Sequence, residues 1–299
     1  MEKYSRTIKL GSRGSELALA QTKLVMDQIH QYFPELSCEI VIIKTMGDKI
    51  LDKPLLEFGG KGAFVTEFED AILRNDIDLA VHSAKDMPLE LANGLEITGV
   101  LRREDPRDVL ITKKDIKLDH FNSPIIGSSS LRRKLQIEEL YPQAKCTSLR
   151  GNVNTRLRKL SDGEYDAIIL AAAGLHRLKL VNHPDFSYRY LSYEEMIPAA
   201  GQGIIAIEGR CDLELKGLMQ TISDPKSYME LEIERKALQL LNAGCHEPIG
   251  IFSEIQENNV TLRMMKANNN NTMKLTRTAT LQQKNELVES LVQQILEEC

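Results

Sequence analysis

Two parts of the chain repeat one order of predicted elements, and this repeat constrains the fold more than any other feature. The stretches IKLGSRGSELALAQ and PIIGSSSLRRKLQ each predict a strand, a Gly-Ser turn and a helix. A second pair, DIDLAVHSAKD and EYDAIILAAAG, predicts an acidic turn, a strand and a loop of small residues. Since strands that alternate with helices predict a parallel, doubly wound sheet, we predict two similar α/β domains.

The pattern of predicted elements changes after residue 217. Residues 218–299 predict a helix, a strand, an NNNN turn, a second strand and a final helix, which indicate a small α+β domain. Two proline-containing segments, 100–108 and 193–203, are the expected linkers between domains. A chain of 299 residues is long enough for two or three domains of about 100–200 residues each.

The composition is that of an ordinary globular protein, with 42% hydrophobic and 27% charged residues. No stretch approaches the ~20 apolar residues that span a bilayer. The first residues, MEKYSRTIKLGSRGS, lack the apolar region of a secretory signal. We therefore expect a cytoplasmic protein without a membrane partner. A net charge of −5 argues against a dedicated nucleic-acid binder.

The five cysteines are scattered and never spaced as CxxC, so neither a disulfide framework nor a local zinc site is predicted. Cys245 lies in LNAGCHEPIG, and Gly244 suits the left-handed position that ends a helix. We expect Cys245 in a loop at the edge of the small domain, where its thiol can reach something outside. A metal site with His246 is disfavoured because adjacent side chains rarely chelate one ion. The residues alone leave a nucleophile and an attachment point open.

Positive charge is concentrated in one segment of the chain. Residues 128–159 carry eight basic and two acidic side chains, although the whole chain has a net charge of −5. Five of these eight side chains are arginine, which is the better bidentate partner for carboxylate or phosphate. A local anionic ligand is therefore favoured over a solvated helix face that holds its charges by chance.

Arginine and serine recur where predicted strands end, in GSRGS, GSSS, LRGNVNTRLR and AAGLHRL. A Gly-Ser turn before a helix presents backbone N–H groups and hydroxyls at the positive end of the helix dipole. None of the four stretches matches a phosphate loop or a dinucleotide fingerprint. Because open α/β sheets bind ligands at the carboxyl ends of their strands, we predict a cleft for a polyanion. The arginines expected there are Arg13, Arg132, Arg133, Arg150, Arg156 and Arg177.

Lys85 and Asp86 follow a further predicted strand, in AVHSAKDMP. An isolated pair of this kind is usually a surface ion pair in a turn. In a cleft lined with arginine, however, a carboxylate is needed only where a cation is bound or develops during a reaction. His82 is expected to be a packed strand histidine. The glycine-rich segment 44–64 is expected to be either a mobile lid or a disordered surface loop.

Nine motifs together resemble the porphobilinogen deaminase family, and they cover nearly the whole chain in the family's order. They are GSRGSELALAQ, GGKGAFVTEFEDAIL, DLAVHSAKDMP, RREDPRDVL, GSSSLRRKLQ, LRGNVNTRL, ILAAAGLHRL, IPAAGQGIIAIE and GCHEPIG. The resemblance implies an α/β enzyme whose first two doubly wound domains resemble type II periplasmic binding proteins, followed by a small α+β domain. The implied domains are residues 1–101 with 200–217, residues 105–196, and residues 218–299.

The resemblance also implies a reaction. Four porphobilinogen molecules would be joined head to tail, with loss of four ammonia molecules, on a dipyrromethane cofactor, and hydrolysis would yield hydroxymethylbilane. Cys245 matches the cysteine that holds this cofactor through a thioether. Asp86 matches the catalytic aspartate, which would stabilise an electron-poor azafulvenium and assist proton transfer. The product would pass to uroporphyrinogen-III synthase.

The binding residues that the resemblance implies suit pyrroles that carry acetate and propionate groups. They are Arg13, Ser15, Gln21, Lys61, Phe64, Lys85, Ser128, Ser129, Ser130, Arg132, Arg133, Arg150, Arg156, Arg177 and Gln202. No metal ligand is predicted among them.

Two other functions compete with this interpretation. A non-catalytic two-domain module for an anionic metabolite would share the fold and the arginines, but it leaves Cys245 and Asp86 without a role. A nucleic-acid protein could use the basic segment. The aromatic content of 5%, the lack of tryptophan and the negative net charge argue against a nucleic-acid protein.

Overall fold

A computed structural model of the chain describes residues 7–45, 65–211, 215–242, 247–267 and 272–298. Some predictions therefore lie outside the described residues. They concern Lys61 and Phe64 with most of the glycine-rich segment, Cys245 with Gly244, and the NNNN turn. In the described part of the chain, no helix combines the length and the apolar character that crossing a membrane requires.

The chain divides into two compact units, and each unit is made of two separate stretches. The first unit comprises Met1–Arg103 and Ile204–Leu231, and the second comprises Glu104–Gly203 and Glu232–Cys299. The chain thus passes from one unit to the other within the first predicted linker, at the end of the second, and a third time between residues 231 and 232. The predicted division into three domains differs from these two units, since residues 218–231 of the third predicted domain lie in the first unit, and it stays a prediction.

The first unit is built on a five-stranded sheet with the order β2-β1-β3-β10-β4. Its strands and helices are β1 (Ile8–Ser12), β2 (Cys38–Ile42), β3 (Leu79–Ser83), β4 (Leu95–Val100), β10 (Ile205–Arg210), α1 (Glu16–Tyr32), α2 (Thr66–Leu73) and α6 (Lys216–Ile222). Val81 of β3 belongs to the core formed with α1 and α6, whereas its neighbour Ala80 belongs to the core formed with α2. Successive side chains of a strand point to opposite faces, so helices cover both faces of this sheet.

The second unit contains a similar five-stranded sheet with the order β7-β6-β8-β5-β9. Its strands and helices are β5 (Asp108–Lys113), β6 (Ile125–Gly127), β7 (Lys145–Thr147), β8 (Ala167–Ala171), β9 (Phe186–Tyr190), α3 (Leu131–Leu140), α4 (Val153–Ser161) and α5 (Ala172–Arg177). Ile168 joins the core that contains α4 and α5, and Ile169 joins the core that contains α3. This sheet is therefore also covered on both faces.

Both five-stranded sheets are mixed, so the predicted parallel sheet is found with one strand in each that runs against the others. β1, β2 and β3 are parallel, as are β6, β7 and β8. However, β10 is antiparallel to β3 and β4, and β5 is antiparallel to β8 and β9. Each of these two strands is the first after the chain changes units, so no crossover helix precedes it to keep the direction parallel. The α/β class itself is confirmed.

The last part of the chain forms a three-stranded antiparallel sheet with the order β11-β12-β13. Its elements are α7 (Pro225–Leu240), β11 (Ile249–Gln256), β12 (Asn259–Ala267), β13 (Thr272–Thr280) and α8 (Lys284–Glu298). The sequence predicted only two strands here, because the two-residue turn at Glu257 contains neither glycine nor proline. Gly250 allows β11 to pack closely, since a Cβ there would lie 2.8 Å from the carbonyl oxygen of Ile197.

Candidate active site

In the first unit, parallel strands bring two predicted site segments to one edge of the sheet. β1 and β3 run in the same direction, so their carboxyl ends lie at the same edge. Arg13 and Ser15 follow β1, and Lys85 and Asp86 follow β3. The structure therefore brings these four predicted residues to one edge, as the sequence pattern predicted for each segment.

The turn between β1 and α1 is held by hydroxyl groups. Ser15 caps α1, because its Oγ accepts a hydrogen bond of 3.3 Å from the backbone N–H of Ala18. Thr22 donates to the Oγ of the buried Ser12 at 2.8 Å, and Ser12 donates to the carbonyl oxygen of Arg13 at 3.0 Å. The half-buried Arg13 therefore starts from a backbone position that the turn fixes.

The turn after β3 presents Asp86 from a fixed backbone. One 3-10 turn, Ala84–Asp86, follows the strand, and the backbone N–H of Ala84 donates to the carbonyl oxygen of Ile204 at 3.0 Å. Ala84 and Met87 are buried, Lys85 is half-buried and Asp86 is exposed. Two apolar anchors thus hold the turn while the carboxylate between them reaches solvent.

Gln21, a predicted binding residue, contacts the same strand end. Its side chain is buried, and its Nε2 donates to the Oγ of Ser83 at 2.9 Å. Ser83 is the last residue of β3. In this structure, Gln21 therefore connects α1 to the strand that leads to Asp86, and its contact with a ligand stays a prediction.

In the second unit, three serines order the turn after β6, and one of them, Ser129, joins it to the turn after β7. Ser130 caps α3 by accepting from the backbone N–H of Arg133 at 3.4 Å, and Ser128 Oγ accepts from the N–H of Ser130 at 3.2 Å. Ser129 accepts from the N–H of Leu149 at 3.1 Å and donates to its carbonyl oxygen at 2.8 Å. The turns after β6 and β7 are therefore held together by the GSSS motif.

Arg150 and Arg156 lie on either side of the cap of α4. Asn152 caps this helix by accepting from the N–H of Thr155 at 2.8 Å. Arg156 donates from Nε to the carbonyl oxygen of Gly151 at 2.7 Å, and Gly151 has a φ of +115°, which favours glycine. Both arginines are half-buried and follow β7 at the edge where the serine turns lie.

Arg177 ends α5, which follows β8 at this same edge. Its guanidinium donates to the carbonyl oxygen of Gly203 at 2.6 Å. Burial lowers the pKa of Arg177 to about 10, and the nearby Glu104 carboxylate opposes this shift. A guanidinium in such a poorly solvated position favours an anionic ligand, because the ligand would replace lost hydration.

A series of polar contacts, which was not predicted from the sequence, lies beside Arg177. His176 hydrogen-bonds through Nδ1 to Glu104 at 3.0 Å and through Nε2 to the hydroxyl of Tyr190 at 2.9 Å. Burial alone would raise the pKa of Glu104, but hydrogen bonds from the Asp105 backbone and from His176 lower it. No single sequence motif indicated this series of contacts, because Glu104, His176 and Tyr190 come from separate parts of the sequence.

Three other predicted binding residues surround one buried carboxylate. Asp108 is fully buried; its Oδ2 accepts from Arg132 at 2.7 Å, and its Oδ1 accepts from Arg133 at 2.7 Å. Gln202 Nε2 donates to the same Oδ1 at 3.0 Å. We call Asp108, Arg132, Arg133 and Gln202 the Asp108 cluster. Its two arginines are themselves buried, so their predicted contact with substrate stays a prediction.

The Asp108 cluster keeps its carboxylate ionised inside the protein. Burial alone would raise the pKa of Asp108, but the adjacent guanidinium charges of Arg132 and Arg133 outweigh it and hold the pKa well below its usual range. Burial also lowers the pKa of Arg132. Asp108 was not among the predicted residues, although an aspartate that opens the apolar run DVLIT requires a partner when it is buried.

Three predicted site residues lie outside the described part of the chain. They are Lys61, Phe64 and Cys245. Among the described residues, no group of three or more His, Cys, Asp or Glu side chains is arranged to hold a metal ion.

Family models match nearly all of the chain. Residues 8–215 match the model described as porphobilinogen deaminase, dipyromethane cofactor binding domain. Residues 228–299 match the model described as porphobilinogen deaminase, C-terminal domain. The two matches include all of the predicted site residues, and the second includes Cys245.

Two individual porphobilinogen deaminases also match most of the chain. The porphobilinogen deaminase of Acetivibrio thermocellus is 43% identical over 97% of this chain and 98% of its own length. That of Syntrophobacter fumaroxidans is 46% identical over 88% of this chain and 84% of its own length. Among solved structures, the periplasmic aliphatic sulphonate binding protein SsuA from Escherichia coli overlaps with 78% of this chain and 69% of its own, at 12% identity and a TM-score of 0.42.

Proposed function

Because the chain belongs to the porphobilinogen deaminase family, we propose that Asp86 is its catalytic carboxylate and that the arginines and serines at the two sheet edges bind carboxylates. Members of this family are transferases, also called hydroxymethylbilane synthases, which act on porphobilinogen and carry a dipyrromethane cofactor. The predicted enzyme class and cofactor are therefore confirmed. The roles of individual residues, argued below, are our proposal.

The described residues at the edge of the second unit fit a group that bears several carboxylates. Ser129, Arg150, Arg156 and Arg177 offer hydroxyl and guanidinium groups after three parallel strands. Guanidinium groups bind carboxylates through two parallel hydrogen bonds, which gives both affinity and orientation. When bound, the cofactor supplies the pyrrole to which the first substrate molecule is joined.

The placement of Asp86 is the observation that carries the proposal. Its carboxylate is exposed on a turn that Ala84 and Met87 anchor, so it keeps its position while facing a ligand. Porphobilinogen becomes an electron-poor azafulvenium when it loses ammonia, and a fixed carboxylate stabilises this cation without rearrangement. The same carboxylate can accept a proton from a pyrrole N–H and return it.

The role of Asp86 is tested by Asp86→Asn, which keeps the shape of the side chain but removes its charge. We expect an unchanged fold and a loss of about 100- to 1000-fold in turnover, as when one preorganised charge-stabilising group is removed. The measurement is steady-state formation of hydroxymethylbilane. Asp76→Asn is the matched control, because Asp76 is an exposed aspartate of the same unit whose carboxylate pairs with Arg74. Near-normal turnover of Asp86→Asn would exclude the proposed role.

The tether is tested by the mass of the intact protein. We expect the purified chain to exceed its polypeptide mass by two linked pyrrole units and Cys245→Ser to lack this excess. Cys211→Ser is the control, because Cys211 is an exposed cysteine that lies outside the predicted attachment loop. An excess mass that persists in Cys245→Ser would place the attachment elsewhere.

We also propose that the product passes to uroporphyrinogen-III synthase, and that the enzyme works in the cytoplasm without nucleic-acid or membrane partners. The support is the family membership together with the acidic, tryptophan-free composition. A coupled assay tests the transfer. The substrate is labelled porphobilinogen. If the synthase accepts the product directly, labelled uroporphyrinogen III forms even when a large excess of unlabelled hydroxymethylbilane competes. Complete dilution of the label would contradict direct transfer.

A further inference from the structure

A histidine and a glutamate face each other inside the first unit, on the strands β3 and β10. His82 Nε2 lies 2.9 Å from Oε2 of Glu208, and the two side chains are 8% and 0% exposed. His82 is paired in register with Ala206, so Glu208 lies two residues further along the neighbouring strand on the same face. The hydrogen bond therefore ties the two strands together through side chains, in addition to their backbone ladder.

This pair packs against an aromatic ring, lies near the carboxylate of Glu69, and has one unsatisfied polar atom. The ring of Phe68 on α2 meets the His82 imidazole edge to face, with centroids 5.0 Å apart. Oε1 of Glu208 is buried and has no hydrogen-bond partner among the described residues. A buried carboxylate that is only partly satisfied is costly, and two apolar side chains of similar volume would be about as stable. Stability alone therefore does not account for the pair.

The position of the pair suggests another role. β1 pairs with β3 only at Leu79 and Ala80. Beyond Ala80, β10 is the one strand in the described part of the chain that pairs with β3, and the ladder ends with the hydrogen bond from Ala84 to Ile204. Besides the bond from Gln21 to Ser83, the segment that carries Asp86 therefore takes its position from β10, and His82 is the last β3 side chain that bonds to β10.

We propose that His82 and Glu208 are positioning residues, which hold the end of β3 on β10 and thereby fix the carboxylate of Asp86. This inference rests on the catalytic role proposed above for Asp86. A shift of about 1 Å in a catalytic group can cost roughly 100-fold in rate, so a side-chain tie four residues away has a large effect. Leucine side chains would fill the space but would leave the strand end free to shift.

The test uses the double variant His82→Leu/Glu208→Leu in the cofactor-loaded enzyme. It removes both polar groups together, so no buried charge is left and the protein is expected to fold with nearly unchanged stability. We expect kcat to fall by about 10- to 100-fold while KM changes by less than about threefold. We also expect the Ala84 amide to exchange its hydrogen faster, which reports the strand end independently of activity.

Two further variants separate position from stability. His82→Gln keeps a side-chain N–H that can donate to Glu208, and it should restore most of kcat and the slow exchange of Ala84. Thr98→Val is the matched control, because the buried Thr98 also bonds to β10, through the carbonyl oxygen of Ile207, but from β4. Its turnover and Ala84 exchange should match those of the unchanged enzyme.

A cycle with Asp86→Asn decides whether the pair acts through Asp86. In the Asp86→Asn background, the double leucine change should cost less than about threefold in single-turnover rate, because the group it positions no longer functions. An equal cost in both backgrounds, or full activity or unchanged Ala84 exchange in the double variant, would overturn the inference. Near-normal turnover of Asp86→Asn alone would instead overturn the role of Asp86, so the two failures are distinguishable.

Discussion

The buried carboxylate of Asp108 shows why some predicted binding residues have a second task. Arg132 and Arg133 belong to a basic segment that indicates an anionic ligand, yet their guanidinium groups hold Asp108 within the second unit. Gln202 completes the arrangement and also donates to the carbonyl oxygen of Pro106 at 2.7 Å. The positive charge of the segment is thus partly used inside the protein.

Asp108→Asn removes the negative charge from this cluster. Because two buried guanidinium groups would lose their counter-charge, we expect the free energy of unfolding to fall by about 3–5 kcal/mol at pH 7. The folded-state pKa of Asp108 is lowered, so its stabilisation is present above the usual aspartate pKa of about 3.9 and is lost as pH falls below it. Urea unfolding at pH 7, 5 and 3.5 should show a gap between variant and unchanged protein that narrows with acid. A gap that is absent at pH 7 would contradict this account.

At the residue scale, the chemistry of many site residues could be predicted, but their partners could not. Ser15 and Ser130 were singled out in Gly-Ser turns, and both act as helix caps. The burial of Arg132 could not be predicted, because it depends on Asp108, which is distant in sequence and joins it only in the folded sheet. The pairing of His82 with Glu208 was hidden for the same reason.

At the scale of elements, helix caps hold the site turns in place. Asn152 caps α4 between Arg150 and Arg156, so the start of this helix sets where both arginines begin. The alternation of strands and helices could be predicted from local sequence signals such as this cap. The direction of β5 and β10 does not follow from local signals, because it depends on how the chain changes units.

Asn152→Ala tests the cap of α4. Loss of the hydrogen bond to the Thr155 N–H should lower the free energy of unfolding by about 0.5–2 kcal/mol. Asn152→Ser is the matched control, since serine can accept the same bond and should lose much less. Both values come from urea denaturation at neutral pH. Equal losses in the two variants would mean that the cap does not account for the effect.

At the scale of the whole molecule, one segment of the chain has a charge opposite in sign to the net charge. The chain has a net charge of −5, but residues 128–159 carry a clear excess of positive charge. An anionic substrate is therefore repelled by the protein as a whole and attracted by a small part of its surface. Two of the passages between units, at residues 103–104 and 203–204, coincide with proline-containing segments predicted as linkers, whereas the passage at residues 231–232 was not predicted. The arrangement within each sheet required the structure.

Salt should reveal this uneven charge. We expect the KM for porphobilinogen to rise severalfold between about 0.02 and 0.5 M salt, because counter-ions screen the half-buried guanidinium groups that solvent still reaches. The value of kcat should change much less, since the role proposed for Asp86 concerns a substrate that is already bound. Steady-state kinetics in chloride at constant pH measures both constants. A KM that is independent of salt would contradict carboxylate binding by these arginines.

The Asp108 cluster also restricts how this sequence can drift over generations. Replacing Asp108 alone leaves two cations in the interior, whereas replacing Arg132 alone leaves Asp108 paired with Arg133. A path of substitutions that begins at Asp108 therefore passes through a poorly folding intermediate. Among descendants of this chain, Asp108 should be exchanged only after or together with its arginines.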